Sequence, residues 1–264
     1  MTRRSGVQLL LLLGLTACAP PQQALQIRFE ARADAGRIAC DTASSGLTLS
    51  DLRFYVSDIT LRRPDGTSVP VVLLEDDRWQ QRDLGMVDLE DGSGNCLNGT
   101  ADTNDRLVGS APAGDYTQLS FVIGVPFDRN HADPLAAAAP LDDSAMHWHW
   151  RSGYKFLRAG VGSVDDGFWL HLGSAGCEGT VGAISGCKFP NRMSVTLADY
   201  TPGDTVVVDV GALARAADLG DAAVSDCVSG PADDDCGAAF AILGLDHGSG
   251  TMSGMQQLFR LSRP

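Results

Sequence analysis

Several short motifs are missing from this chain, and each absence removes a class of chemistry. No C-x-x-C pair occurs, so the cysteines do not read as a thiolate metal site. There is neither an H-E-x-x-H zinc pair nor a nucleophile elbow, which argues against hydrolases built on them. Ser174 with Asp209 or Asp246 has no spacing to His171 that favours a triad. Basic residues are scarce: Lys and Arg number 20 against 33 acidic residues, a formal net charge of −13. That balance argues against nucleic acid or anionic lipid as a partner. Internal repeats, a domain-splitting linker and any run of paired strand and helix are lacking too, so the mature chain reads as one domain.

The N-terminus carries the longest apolar run, and it too is short. Arg3 and Arg4 precede Val7 to Leu15, and Leu15-Thr16-Ala17-Cys18 closes the segment. A run this short is an export signal and not a membrane span. The small residues before Cys18 form a lipobox-like end. The sequence therefore predicts a lipoprotein signal over residues 1–17, a lipidated tether over 18–24 starting at Cys18, and a folded domain over 25–264. The membrane is then met through the lipid alone, in the cell envelope, on the periplasmic side or at the outer-membrane surface. Setting Cys18 aside leaves six cysteines, an even number that suits disulfides in an exported chain. Cys177 with Cys187 and Cys227 with Cys236 are close enough to be local clips, which leaves Cys40 with Cys96.

Alternation predicts strands at Leu25 to Phe29, Leu47 to Leu61, Val69 to Leu74, Tyr116 to Val125, Phe168 to Leu172, Met193 to Leu197 and Val206 to Val210. The phase slips at Ser57-Asp58, as at a bulge or a junction of two short strands. A single helical turn is predicted over Arg78 to Leu84 around Trp79, and another within Asp128 to Ala145. A short helix is predicted over Gly211 to Leu219, and a loop over Gly173 to Gly186. Met146 to Phe156 reads as one strand or extended segment. The fold class is mainly β: an antiparallel β-sandwich or barrel-like single domain with long loops and disulfides. The acidic loop Asp88 to Asp105 has oxygen donors that could hold calcium. Its spacing is not that of a helix-flanked calcium loop, and a solvated acidic turn is the preferred reading.

The chemistry is concentrated between Phe127 and Cys187. Four of the five histidines (His131, His147, His149, His171) and Trp148, Trp150 and Trp169 lie there. Imidazoles are the usual nitrogen ligands of transition metals at neutral pH. In an extended backbone Trp148 and Trp150 share one face and His147 and His149 the other, while Trp169 and His171 share a face of their strand. Met146 is a thioether donor in reserve, with a core methionine as the plainer reading.

Six motifs add to this: L-R-F-Y-V-S-D (Leu52 to Asp58), C-L-N-G-T-A-D-T-N (Cys96 to Asn104), G-V-P-F-D-R-N-H (Gly124 to His131), W-H-W-R-S-G-Y-K-F (Trp148 to Phe156), H-L-G-S-A-G-C (His171 to Cys177) and C-K-F-P-N-R (Cys187 to Arg192). In this order over most of the chain, they resemble the MbnP family of copper-binding proteins, the four-cysteine partner in a two-protein "metallo-mystery pair". The resemblance implies one Cu(I) per chain, copper homeostasis rather than catalysis, and a di-haem cytochrome c peroxidase-like partner that oxidises the first tryptophan of a W-x-W motif to kynurenine. Here that residue is Trp148. The expected ligands are His131, His171 and the kynurenine made from Trp148, with Trp150 and Trp169 packed around them. His147 and His149 depart from the family pattern and stand as reserve ligands. A copper-dependent oxidoreductase and a metal-free structural lipoprotein are the rival readings.

Overall fold

The alternation at Leu25, Ile27 and Phe29 is the centre of β1 (Gln22–Ala33), in which every second side chain from Leu25 onward is buried. The strand begins ahead of that alternation, because Gln22 and Gln23 pair through their backbones with Pro112 and Ala111. The computed structural model describes residues 20–34, 36–162, 167–217 and 226–262. The signal segment and Cys18 lie outside the described residues. After β2 (Gly36–Arg37) comes β3 (Leu49–Arg62), the long strand around which the second sheet forms. The phase slip at Ser57-Asp58 is a bulge within one strand. Ser57 faces Val122 and Thr60 faces Ser120, while Asp58 takes a φ of 53°.

Past the Pro64-Asp65-Gly66 turn, β4 (Ser68–Pro70) pairs with β3, and β5 (Val72–Leu73) joins the other sheet. A hairpin of β6 (Gln80–Gln81) and β7 (Leu84–Asp88) then stands where the sequence predicts a helical turn around Trp79. The Asp76 carboxylate does accept backbone N–H groups of Arg78, Trp79 and Gln80, as at a helix start. The helix fails because the Gln80 amide is captured elsewhere: Nε2 donates to the Leu74 and Val108 carbonyls, and Oε1 accepts the Val108 N–H.

The remaining elements are β8 (Arg106–Pro112), β9 (Gln118–Ile123), the four-residue α1 (Phe127–Asn130), β10 (His147–His149), β11 (Gly153–Gly162), β12 (Gly167–Gly173), β13 (Ala175–Thr180), β14 (Ala183–Phe189), β15 (Met193–Ala198), β16 (Thr205–Asp209), α2 (Val210–Ala216), α3 (Cys236–Leu243) and β17 (Phe259–Ser262). One sheet runs β17-β16-β1-β8-β5, with β2 on β1. The other runs β10-β11-β3-β7-β6, with β4 and β9 also on β3, β12 on β11 and β15 on β9. Among the described strands pairing is antiparallel, as expected for a β-sandwich, except between β1 and β16, which run parallel. The predicted loop over Gly173 to Gly186 is largely the hairpin β13–β14, and Met146 to Phe156 turns back on itself as β10–β11.

Four edge-to-face rings join the sheets. Phe29 and Phe259 come from one sheet, Phe54 and Phe121 from the other, with centroids 5.4–6.0 Å apart. Such pairs add about 0.5–1.5 kcal/mol each beyond area burial. Three disulfides close the fold: Cys40–Cys96, Cys177–Cys187 and Cys227–Cys236. Among the described residues no helix is long and apolar enough to cross a membrane.

Candidate metal centre

Two bulges place the central side chains. In β10, His147 faces Tyr154 and His149 faces Gly153, so Trp148 is the extra residue and leaves the simple alternation. In β11, Lys155 faces Gly173 and Leu157 faces Leu172, so Phe156 is the extra residue. That second bulge brings Lys155 and Arg158 together despite their opposite parity. Both donate to the Ala145 carbonyl, at 2.7 and 3.3 Å. Two glycines seat the indoles. A Cβ at Gly173 would lie 2.7 Å from Trp148 Cζ3, and one at Gly160 would lie 2.8 Å from Trp169 Cζ3.

His171 sits at the meeting of these rings. Its centroid is 6.3 Å from Trp148 and 6.4 Å from Trp169, both edge-on. Its backbone is held by residues between α2 and α3: His171 N–H donates to the Cys227 carbonyl at 2.8 Å, and the Ser229 hydroxyl donates to the His171 carbonyl at 2.6 Å. The Cys227–Cys236 disulfide therefore borders His171, whereas Cys177–Cys187 borders His131. Burial lowers the His171 pKa to about 4, with Arg158 and Lys155 adding to the shift. The ring is neutral at physiological pH, and its Nε2 is buried with no hydrogen-bond partner. A neutral imidazole nitrogen left unpaired is free to accept a hydrogen bond or to donate to a metal ion.

His131 follows α1, and its neighbour Asn130 fixes it. Buried Asn130 accepts the Tyr154 N–H through Oδ1 and donates through Nδ2 to the Ser152 carbonyl and to His131 Nε2, 3.1 Å away. Gly153, at φ +75°, allows the close approach, since a Cβ there would lie 2.2 Å from the Asn130 carbonyl oxygen. This network assigns the lone pair of His131 to Nε2 and the proton to Nδ1, which is buried without a well-formed hydrogen bond. Burial lowers the His131 pKa, and a backbone interaction with Trp150 opposes it. Nε2 also lies 3.4 Å from Cys187 Sγ. Ligand atoms of His131, Cys177 and Cys187 fall within 4.8 Å of one another, a metal-capable grouping. While the disulfide stands, His131 is its only strong donor.

The other candidates are placed differently. His149 is exposed, and its Nδ1 accepts the Arg151 N–H at 3.0 Å, closing the hairpin turn. His147 packs its half-buried ring on Tyr154 at 5.0 Å. Met146 is wholly buried in the apolar core. Trp150 packs against His149 and under Arg151, so it does not join Trp148 on a shared face as alternation predicts. The acidic loop does not gather its carboxylates: Asp91 caps Ser93, Asp102 pairs with Arg78, and Asp105 pairs with Arg106. Asp233, near the Cys227–Cys236 bridge, accepts the Val228 N–H.

A buried charge row runs behind the imidazole, and the sequence reading misses it. Register aligns His171 with Arg158, Arg158 with Arg53, and Arg53 with Asp88 across four strands. Asp51 holds Arg158 at 2.6 Å and Arg53 at 3.2 Å, and Glu90 lies 3.1 Å from Arg53. Burial, then hydrogen bonding and repulsion from Asp51, push Glu90 up to about 8, so it is largely protonated at neutral pH. The signal was Asp51 and Arg53 within an apolar strand: a charge buried on a sheet needs partners.

A disulfide-closed domain of two large β-sheets and a separate hairpin, with the half-buried His171 beside a seated tryptophan and His131 at the Cys177–Cys187 bridge, defines a metal-binding-capable β protein. The MbnP family profile matches residues 22–229, and the chain belongs to that family. The fold is similar to the solved structure of MbnP from Methylosinus trichosporium, with a TM-score of 0.77 and 27% identity over 91% of this chain and 98% of that one. No match was found among curated proteins.

Proposed function

We propose that this protein binds one Cu(I) ion in the cell envelope through His171 and His131, with the third donor made from Trp148 by oxidation to kynurenine. The observation that carries the reading is the unpartnered, buried Nε2 of His171 beside the Trp148 ring. Neutral imidazoles and low coordination suit Cu(I). An unmodified indole is a poor ligand because its nitrogen lone pair belongs to the aromatic system. Ring opening exposes an aryl amine and a carbonyl, which explains why a tryptophan occupies this position. A di-haem cytochrome c peroxidase-like partner is proposed to catalyse this oxidation, with peroxide as the oxidant and Trp148 as the substrate. The chain itself acts as a copper carrier or store and not as an enzyme, held at a membrane by lipid on Cys18.

Membership of the MbnP family and the likeness to a solved MbnP support this reading. Intact mass and metal content, measured after production with and without the haem partner, test it. About one copper per chain and an oxidised Trp148 are expected only with the partner. Equal copper retention without modification would contradict the kynurenine ligand.

A further inference from the structure

Three cations, Arg158, Lys155 and Arg53, stand behind the His171 imidazole, and the carboxylates of Asp51, Glu90 and Asp143 pair with the two arginines and not with Lys155. Arg158 lies directly across from His171 on the neighbouring strand, where facing side chains are closest, and Arg53 lies across from Arg158. Lys155 Nζ lies 5.9 Å from the centroid of the Trp148 ring. Asp51 serves both arginines. Lys155 forms no ion pair among the described residues; its ammonium donates to the Ala145 carbonyl.

We propose that Lys155 and Arg158 set the valence selectivity of this site, forming a cationic wall that admits Cu(I) and disfavours Cu(II) and Zn(II). The inference rests on the reading of His171 as a metal ligand. Repulsion between the wall and a bound ion scales with the ion's charge, so a divalent ion meets twice the penalty of a monovalent one at the same place. The His171 Nε2 is buried, which limits the screening of that difference. Imidazole donors alone give no such preference, since they bind divalent copper strongly.

Lys155 is the residue to test, because Arg158 is tied into a buried ion pair whose loss threatens folding. Lys155→Met retains an apolar stem of similar length, and Lys155→Gln is a second neutral variant. Lys155→Arg retains the charge. Each is prepared as the full mature chain with Trp148 in the same oxidation state as the parent, and competed separately with Cu(I), Cu(II) and Zn(II). The neutral variants should gain at least tenfold in Cu(II) and Zn(II) affinity relative to Cu(I), while K155R stays within threefold of the parent. For copper, that tenfold change lowers the Cu(II)/Cu(I) potential by about 59 mV. Neutral variants that fold, bind Cu(I) as the parent does and keep the parental selectivity would overturn the wall alone. A parent that binds no copper would overturn the site reading and the wall with it.

Discussion

The indole of Trp148 occupies the space that a side chain at position 173 would need: a Cβ on Gly173 would approach Trp148 Cζ3 to 2.7 Å and the Tyr154 carbonyl oxygen to 2.8 Å. Gly173 therefore fixes where the tryptophan lies relative to His171, two residues earlier on β12. Gly173→Ala should cost about 1–3 kcal/mol through overpacking. It should also reduce both Trp148 oxidation and copper retention. Denaturant melts and metal content check this; a G173A protein with parental copper retention would show that the seat is unimportant.

The disulfides should separate stability from metal binding. Chain entropy assigns about 4 kcal/mol to Cys40–Cys96, which closes 56 residues, and about 2–3 kcal/mol to Cys227–Cys236, which closes 9. Yet Cys227 holds the backbone of His171, and Cys40–Cys96 does not touch that residue. The C40S/C96S protein should lose more stability and keep its copper where folded. C227S/C236S should lose copper at temperatures where it remains folded. Parallel urea melts and metal assays distinguish the two effects.

The buried charges give stability a defined pH dependence. Glu90 titrates near 8 in the fold against an ordinary value near 4.5, so the folded protein binds more protons between those limits and loses stability as pH rises through them. His171 titrates near 4 against 6.5, so the unfolded chain binds more protons there and stability is lost as pH falls from about 6.5 to 4. Glu90→Gln mimics the protonated acid and should flatten the alkaline side. Urea midpoints at pH 6 and 8 should diverge in the parent and nearly coincide in E90Q.

Anchoring is tested independently of the metal. Cys18→Ala should release the protein from the membrane fraction, since paired acyl chains give stable anchoring. Fractionation of cells producing each form decides it. Retention of C18A beside the parent would remove the lipid anchor from the account.

The strands with clean alternation, such as Leu25 to Phe29 and Met193 to Leu197, were legible because each buries one face. The central hairpin was legible in composition but not in geometry. One extra residue at Trp148 and another at Phe156 break the period of two, so parity misplaced Trp150 and concealed the meeting of Lys155 with Arg158. The helical turn around Trp79 failed because a distant strand captured Gln80, a contact no local pattern encodes. The pairing of β17 with β16, like the parallel join of β16 to β1, depends on long-range register in the same way.

The most direct test of the copper site is the metal content of the protein produced beside its haem partner, compared among the parent, Trp148→Phe and His171→Ala. The account predicts about one copper per parent chain with a mass gain at Trp148, and loss of retained copper in both variants. Full, one-to-one copper in W148F and H171A would contradict it.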